Sequence, residues 1–187
     1  DIVKNILPKG VECIFVRQSE QLGLGHAVLC AERVVGNETF AVLLADDFLA
    51  FEGNGAMSDH VSGYKKSGKS QLCVTKVNGP SISNYGVIVP NKEAGSIAGL
   101  VEKPKAENAP SNIASIGRNI LTPDIFTILR NQKVVIGNEI QLADAINTQA
   151  LSHNVETVLL NGKRFDCGNK KDYINAIKYV SNNYKFE

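Results

Sequence analysis

Two adjacent carboxylates, Asp46 and Asp47, follow an unbroken apolar run over 40–45 that we predict to be a buried strand. Adjacent carboxylates repel each other unless a cation or hydrogen-bond donors lie nearby. Mg²⁺ would satisfy both, because it takes oxygen ligands and often bridges to substrate phosphates. Alternatively, Asp46 caps the N-terminus of the next helix. The local sequence leaves both interpretations open.

A second charged pair, Glu102 and Lys103, stands at the end of a predicted strand, immediately before Pro104. Neighbouring side chains on a strand point to opposite faces, so we expect these two not to pair with each other. A carboxylate for sugar hydroxyls and an ammonium for a phosphate would suit an acidic sugar ligand. The alternative is an ordinary solvated strand end, which this segment taken alone favours.

The segment 63–70, GYKKSGKS, matches the phosphate-loop pattern G-x-x-x-x-G-K-[ST] letter by letter. That loop requires a strand before it and a helix after it, so that helix N-terminal amides face the phosphates. Here a helical pattern precedes the segment and a strand pattern follows it. We therefore interpret it as a helix C-terminus with favourably placed lysines, followed by a turn at Gly68.

Composition excludes several classes of protein. The chain has 187 residues, 43% hydrophobic and 21% charged, as in an ordinary globular domain. Its formal net charge of +1 argues against nucleic-acid binding through bulk electrostatics, and no apolar run is long enough to span a membrane. The four cysteines form no Cys-x-x-Cys pair, so we expect reduced thiols and a cytoplasmic protein. We assign His26 no catalytic role, and no hydrolase triad or zinc-ligand spacing is found.

The elements that must position these residues alternate along the chain between strand-like and helix-like patterns. We predict strands over 12–16, 40–45, 72–77, 86–89, 97–101, 116–121 and 155–160, and helices over 26–35, 57–66, 139–151 and 171–184, with another beginning near Pro123. This alternation predicts an α/β sheet domain with an inserted strand-rich part. Ligands of such sheets lie beyond the carboxyl ends of strands. That rule selects the turn after Val16, the Asp46–Asp47 pair, 101–104 and Asp166.

Seven segments resemble, in order, those of the bacterial UTP–glucose-1-phosphate uridylyltransferases, which are sugar-phosphate nucleotidyltransferases. They are QSEQLGLGHAVLCAERVV (18–35), FAVLLADDF (40–48), NYGVIV (84–89), VEKP (101–104), APSNIASIGRNILTPDIF (109–126), NEIQLADAI (138–146) and GKRFDCG (162–168). The resemblance covers essentially the whole chain. It implies a Rossmann-like, mixed and mainly parallel sheet flanked by helices, with a strand-rich part that binds sugar.

The resemblance also implies a reaction, in which UTP and glucose 1-phosphate give UDP-glucose and pyrophosphate with Mg²⁺ as cofactor. It implies substrate contacts at Gln18, Gly23, Asp47, Gly86, Glu102 and Lys103, metal binding at Asp46 and Asp166, and catalytic roles for Lys103 and the two metal aspartates. Gln18 and Gly23 would contact uracil, Asp47 would lie near the ribose and sugar, and Gly86 would contact the hexose through its backbone. Glu102 would accept from sugar hydroxyls, and Lys103 would hold the glucose phosphate.

The chain departs from the family pattern at its front. Family members open with a strand and a glycine-rich G-x-G-T-R-type loop, then a Leu-Pro-x-Thr-Lys segment, and neither precedes Gln18. We therefore expect one N-terminally incomplete domain, with 1–77 the remainder of a nucleotide-binding half and 78–187 the sugar- and metal-binding half. The full-length protein is expected to form dimers or tetramers. The alternatives are a glucose-1-phosphate thymidylyltransferase and a noncatalytic fragment that binds nucleotide sugars.

Overall fold

The computed structural model describes residues 8–51, 53–93, 95–132 and 139–184. The strands are β1 (Phe40–Leu43), β2 (Asp47–Phe51), β3 (Ser70–Lys76), β4 (Gly86–Pro90), β5 (Ile97–Glu102), β6 (Ile113–Leu121), β7 (Val155–Leu159) and β8 (Gly162–Asp166). The helices are α1 (Leu24–Cys30), α2 (Glu32–Val35), α3 (Ala56–Ser67), α4 (Asp124–Asn131), α5 (Leu142–Ala150) and α6 (Lys170–Asn183), with short 3₁₀ turns at Pro80–Asn84 and Ala106–Asn108.

The main sheet is built around β6, the longest strand described. One edge of β6 pairs antiparallel with β3, and the other edge pairs antiparallel with β1 near its end and with β4 near its start. β5 and β7 complete the order β5-β4-β6-β3-β7. The predicted α/β class with a mixed sheet is confirmed. Within the described residues only the pairing of β3 with β7 is parallel, so this part of the sheet is largely antiparallel.

Helices cover both faces of this sheet, and β3 shows how its sequence allows that. Leu72 and Val74 belong to the main core, which packs against α1, α4 and α5, whereas Cys73 between them packs against Ala56 of α3. Alternate side chains of a strand point to opposite faces, so the apolar run 72–74 of β3 buries side chains on both. Burial raises the pKa of the Cys73 thiol to about 12. All four cysteines are free.

A two-stranded antiparallel ribbon lies beside the main sheet and carries part of the site. β2 pairs with β8, and Asp47 stands directly opposite Asp166 in the register. The sequence patterns predicted neither strand, because both are short and mix charged with apolar residues. Asp46 does not cap a helix either, since the residue after it begins β2 and the N-cap of α3 is Gly55.

The other predicted elements differ from the structure in limited ways. The helix predicted over 139–151 begins at Leu142, and the strand predicted over 40–45 ends at Leu43. The strand predicted over 12–16 is wrong, because this segment pairs with no strand in the described residues and Phe15 is 91% exposed. The interpretation of 63–70 is confirmed: α3 ends with Lys65 and Lys66 in its last turn and a left-handed Gly68, before β3.

No helix in the described ranges is long and apolar enough to cross a membrane.

Candidate active site

A cleft of about 220 Å³ opens where β4, β5, β6 and β8 meet the starts of α1 and α5. Four of the predicted site residues line it, namely Asp47, Gly86, Glu102 and Asp166. The floor is apolar, with Leu24 from α1 and Leu142 from α5. Long-range strand pairing therefore brings carboxylates from three separate sequence segments to one concave surface, next to apolar side chains.

The two predicted metal ligands, Asp46 and Asp166, converge on Gly168. A Cβ atom placed on Gly168 would lie 3.1 Å from Asp166 Oδ1 and 3.2 Å from Asp46 Oδ2. The amide of Cys167 donates to the Asp46 carbonyl at 2.7 Å, and the amide of Gly168 donates to Asp166 Oδ1 at 3.1 Å. A side chain at position 168 would therefore have to displace these carboxylate oxygens by a few tenths of an ångström.

This carboxylate pair fits a magnesium ion that takes its remaining ligands from phosphate and water. Mg²⁺ typically binds through one or two carboxylates plus substrate phosphates. The described parts of the chain contain no group of three or more histidine, cysteine or acidic side chains placed to hold a metal. A metal bound here would take two carboxylates from the described residues, and Asp46 is exposed, so a ligand can reach it.

Asp47, the third aspartate, is buried and is contacted by two groups of the protein. It is 3% exposed, accepts from the Gly117 amide at 2.6 Å and forms an ion pair with Arg164. A side chain at Gly117 would collide with this carboxylate, because a Cβ there would lie 2.5 Å from Asp47 Oδ2. Asp47 lines the cleft, but its carboxylate is buried against protein groups, whereas that of Asp46 is exposed.

Glu102 and Lys103 do contact each other, contrary to the expectation from strand geometry. Lys103 Nζ lies 3.6 Å from Glu102 Oε1. The alternation rule fails here because β5 ends at Glu102 and Lys103 adopts a left-handed backbone with φ of 43°. The Lys103 side chain is 66% exposed, so the pair is open to competition by an anion. Gly86 pairs with Glu102 across β4 and β5, and its missing side chain leaves room for the Glu102 carboxylate.

Gln18 and Gly23 form a second polar corner, just before α1. Gln18 Nε2 donates to the Gly23 carbonyl at 3.1 Å and lies 3.0 Å from His26 Nδ1. Gly23 has φ of 89°, and a Cβ there would lie 3.0 Å from the Ile140 carbonyl, so glycine is required twice over. Leu24, the next residue, lines the cleft, which places this corner at its rim.

Two arginines that sequence reasoning assigned no role hold the site together. Arg118 donates to the carbonyls of Leu44 at 2.7 Å and Asp47 at 2.5 Å, and so clamps the turn that carries Asp46. Arg164 contacts Asp47, Tyr85 and Asp166. Both lie in segments that carry the family resemblance, which is the only signal in the sequence that marks them.

The fold and the cleft define an α/β domain with a concave, carboxylate-lined surface at the ends of its strands. The chain belongs to the nucleotidyl transferase family, whose profile matches residues 3–183.

Characterised relatives agree with this assignment. The chain is 39% identical to the UTP–glucose-1-phosphate uridylyltransferase of Haemophilus ducreyi over 186 residues, covering 94% of this chain and 63% of the relative. A solved UDP-glucose pyrophosphorylase in complex with UDP-glucose is 43% identical with a TM-score of 0.85, covering 90% of this chain and 66% of the other. The UTP-bound enzyme of Acinetobacter baumannii is 36% identical with a TM-score of 0.83, covering 97% and 64%. The chain thus spans somewhat less than two thirds of the length of these relatives.

Proposed function

We propose that the protein containing this chain transfers a uridylyl group from UTP to glucose 1-phosphate, giving UDP-glucose and pyrophosphate. The observation that carries the proposal is the meeting of Gly86, Glu102 and Asp166 in one cleft, with Asp46 beside it. These residues come from separate segments, and together they offer groups for a sugar and for a metal-bound phosphate. The similarity to uridylyltransferases over most of the chain supports the same reaction.

The sugar would be held at the junction of β4 and β5. The Glu102 carboxylate is an acceptor for hydroxyl groups, and the backbone of Gly86 lies beside it in the same register pair. The Lys103 ammonium would leave its exposed contact with Glu102 and bind the sugar phosphate. The ion pair with the phosphate would be the stronger of the two, because a phosphate carries more negative charge than a carboxylate. These contacts would align the phosphate as nucleophile.

The base would be held at the corner formed by Gln18 and Gly23. Gln18 Nε2 is already occupied by the Gly23 carbonyl and by His26, which leaves its Oε1 to accept a hydrogen bond. Uracil offers a donor at N3, so the corner suits uracil. The close approach of a base to the backbone is eased by the absence of a side chain at Gly23.

The reaction needs alignment and charge neutralisation more than acid–base groups. A phosphate oxygen of glucose 1-phosphate bonds to the α-phosphorus of UTP, and the bond from that phosphorus to the pyrophosphate oxygen breaks, so no proton must be removed from the nucleophile. Bound at Asp46 and Asp166, Mg²⁺ would supply neutralisation of the phosphate charge. Lys103 and the cleft residues hold the two anions in line, which is the larger contribution to such a step.

Pyrophosphate release from UTP and glucose 1-phosphate by the protein carrying this chain tests the proposal directly. Glu102→Gln keeps the shape of the side chain but weakens its hydrogen bonds to sugar hydroxyls, so we expect a KM for glucose 1-phosphate raised about tenfold, the worth of one charged hydrogen bond. Glu107→Gln, in the 3₁₀ turn away from the cleft, is the matched control and should leave KM unchanged. Faster release from dTTP would favour the thymidylyl alternative, and release from neither nucleotide would contradict the proposal.

Ligand binding by the chain itself is a second test. UDP-glucose at a hundred times its dissociation constant should add about 2.7 kcal/mol to the free energy of unfolding, seen as a raised melting temperature. The shift should require Mg²⁺ and exceed that with dTDP-glucose. Asp166→Asn should abolish the Mg²⁺ dependence with little change in the melting temperature of the free chain, because Asp166 lies at the partly exposed end of β8.

A further inference from the structure

Arg164 lines the cleft and contacts residues from two other parts of the chain as well as Asp166 on its own strand. Its Nη2 forms an ion pair with Asp47 and lies 3.7 Å from Asp166 Oδ2. Its Nη1 donates to the Tyr85 hydroxyl at 3.0 Å, and its guanidinium carbon lies 5.1 Å from the centre of the Tyr85 ring. One planar group therefore contacts the loop before β4, the start of β2 and the end of β8.

The guanidinium is held rigidly from behind by Asp47. That carboxylate is buried and is itself fixed by the Gly117 amide at 2.6 Å. A guanidinium stays protonated in proteins, so the contact with Asp47 does not depend on pH. Arg164 is thus a permanent, well-anchored positive charge inside the cleft.

Towards the carboxylate pair, Arg164 helps to orient Asp166. The Asp166 carboxylate has two oxygens, of which Oδ1 accepts from the Gly168 amide at 3.1 Å and Oδ2 faces Arg164. With both oxygens directed, the carboxylate lies alongside Asp46 at Gly168. Without Arg164, only the Gly168 amide would orient it, and rotation about the side-chain bonds would be freer.

Towards the sugar side, Arg164 acts through Tyr85. The Tyr85 carbonyl accepts from the Lys103 amide at 3.0 Å, and Tyr85 directly precedes Gly86. Lys103 has the left-handed backbone noted above, a conformation that is strained for a non-glycine residue and must be maintained by its surroundings. The hydrogen bond from Arg164 to the Tyr85 hydroxyl therefore fixes the position of Tyr85, whose carbonyl in turn orients the Lys103 backbone.

We propose that Arg164 is a positioning residue that joins the two halves of the transfer site, holding Asp166 on the metal side and, through Tyr85, Lys103 on the sugar side. The assignment of one side to a metal and the other to a sugar rests on the proposed function, whereas the positioning of Asp166 and Lys103 by Arg164 does not. No sequence rule connects Arg164 with Tyr85, since they come together only in the fold.

Arg164→Lys tests the proposal without leaving Asp47 buried and unpaired. A lysine keeps the positive charge, but its compact ammonium cannot replace the planar fork that spans Asp47, Tyr85 and Asp166. We expect a melting temperature close to that of the wild type, while hydrogen exchange followed amide by amide by NMR becomes about tenfold faster at both Lys103 and Gly168, as for the loss of a hydrogen bond. Affinity for UDP-glucose with Mg²⁺ should fall at least tenfold.

Two further variants make the result specific. Tyr85→Phe removes only the hydroxyl contact and should speed exchange at Lys103 but not at Gly168. Arg130→Lys alters an arginine that pairs with Glu32 away from the cleft and should change neither amide nor the affinity for UDP-glucose. A change at Gly168 alone in Arg164→Lys, or at neither amide, would overturn the proposal. If the wild-type protein does not bind UDP-glucose, the proposed function fails at that step, and the exchange data still decide the role of Arg164.

Discussion

At the scale of single residues, some side chains of the site use one polar atom to hydrogen-bond the protein. This fixes their orientation and leaves another polar atom of the same side chain for a ligand. Gln18 is an example, because its amide nitrogen donates to the Gly23 carbonyl and to a ring nitrogen of His26. His26, to which the sequence assigned no catalytic role, provides one of these two acceptors through Nδ1. Its ring proton therefore belongs on Nε2, which lies 3.9 Å from Cys30 Sγ.

We expect His26→Leu to weaken the selection of uracil. The loss of one acceptor lets the Gln18 amide rotate and offer its nitrogen to N3 of cytosine, which is an acceptor where uracil has a donor. The preference for UDP-glucose over CDP-glucose, measured by calorimetry, should narrow by about tenfold, within the worth of one hydrogen bond. His26→Asn is the matched control, because its side-chain oxygen can accept in place of Nδ1. An unchanged preference in His26→Leu would show that the ring does not orient Gln18.

At the scale of secondary-structure elements, the packing of α3 on the sheet includes a buried histidine. His60 is fully buried, and its Nδ1 donates to the Ala56 carbonyl one turn earlier at 2.6 Å. Burial lowers the pKa of His60 below its ordinary value, more than Ala56 and Asp59 raise it. The folded chain therefore holds this ring neutral while the unfolded chain can still take up a proton.

Acidification should destabilise the fold through His60. Below the unfolded pKa of about 6.5, the unfolded state binds a proton that the folded state refuses, so stability falls as the pH drops towards the lower folded pKa. Melting temperatures between pH 8 and pH 5 should show this loss in the wild type and a smaller loss in His60→Gln. His153→Gln, which changes an exposed histidine, should behave like the wild type. An equal loss in His60→Gln would mean that other groups cause the acid sensitivity.

How much of these elements the sequence predicts depends on how local their determinants are. α3, β3, β4 and β5 were predicted within about two residues at each end, because apolar periodicity and Gly68 are local signals. β2 and β8 were missed, since each is stabilised by pairing with the other from a distant part of the chain. The strand pattern over 12–16 found no partner strand, and a strand needs one.

The site residues likewise divide into those with local signals in the sequence and those brought together only by the fold. The carboxylates and Lys103 could be identified as candidates from their types and places, but only family resemblance linked Asp46 with Asp166. The contact between Glu102 and Lys103 contradicted a rule that holds only while the strand continues. Arg164 could not have been found from spacing, because its partners Asp47 and Tyr85 are brought to it by strand pairing and a loop.

At the scale of the whole molecule, large apolar side chains remain exposed on β1 and in the segment before α1. β1 was predicted to be buried on both faces, yet its burial alternates and Leu43 is 53% exposed. Within the described ranges β1 pairs with β6 alone, so its other edge has unpaired backbone groups. Ile14 and Phe15 in the segment before α1 are exposed as well. Free strand edges and apolar patches of this kind promote association.

We therefore expect the 187-residue chain to self-associate with rising concentration, as seen by sedimentation velocity. Leu43→Lys places a charge beside the free edge and should shift the chain towards monomer, because a lysine there must be desolvated for a second strand to pair. Leu151→Lys is the matched control, since Leu151 is more exposed than Leu43 but follows α5 rather than lying on a strand. If both variants reduce association equally, the attraction comes from general surface hydrophobicity, and the open edge of β1 is not its cause.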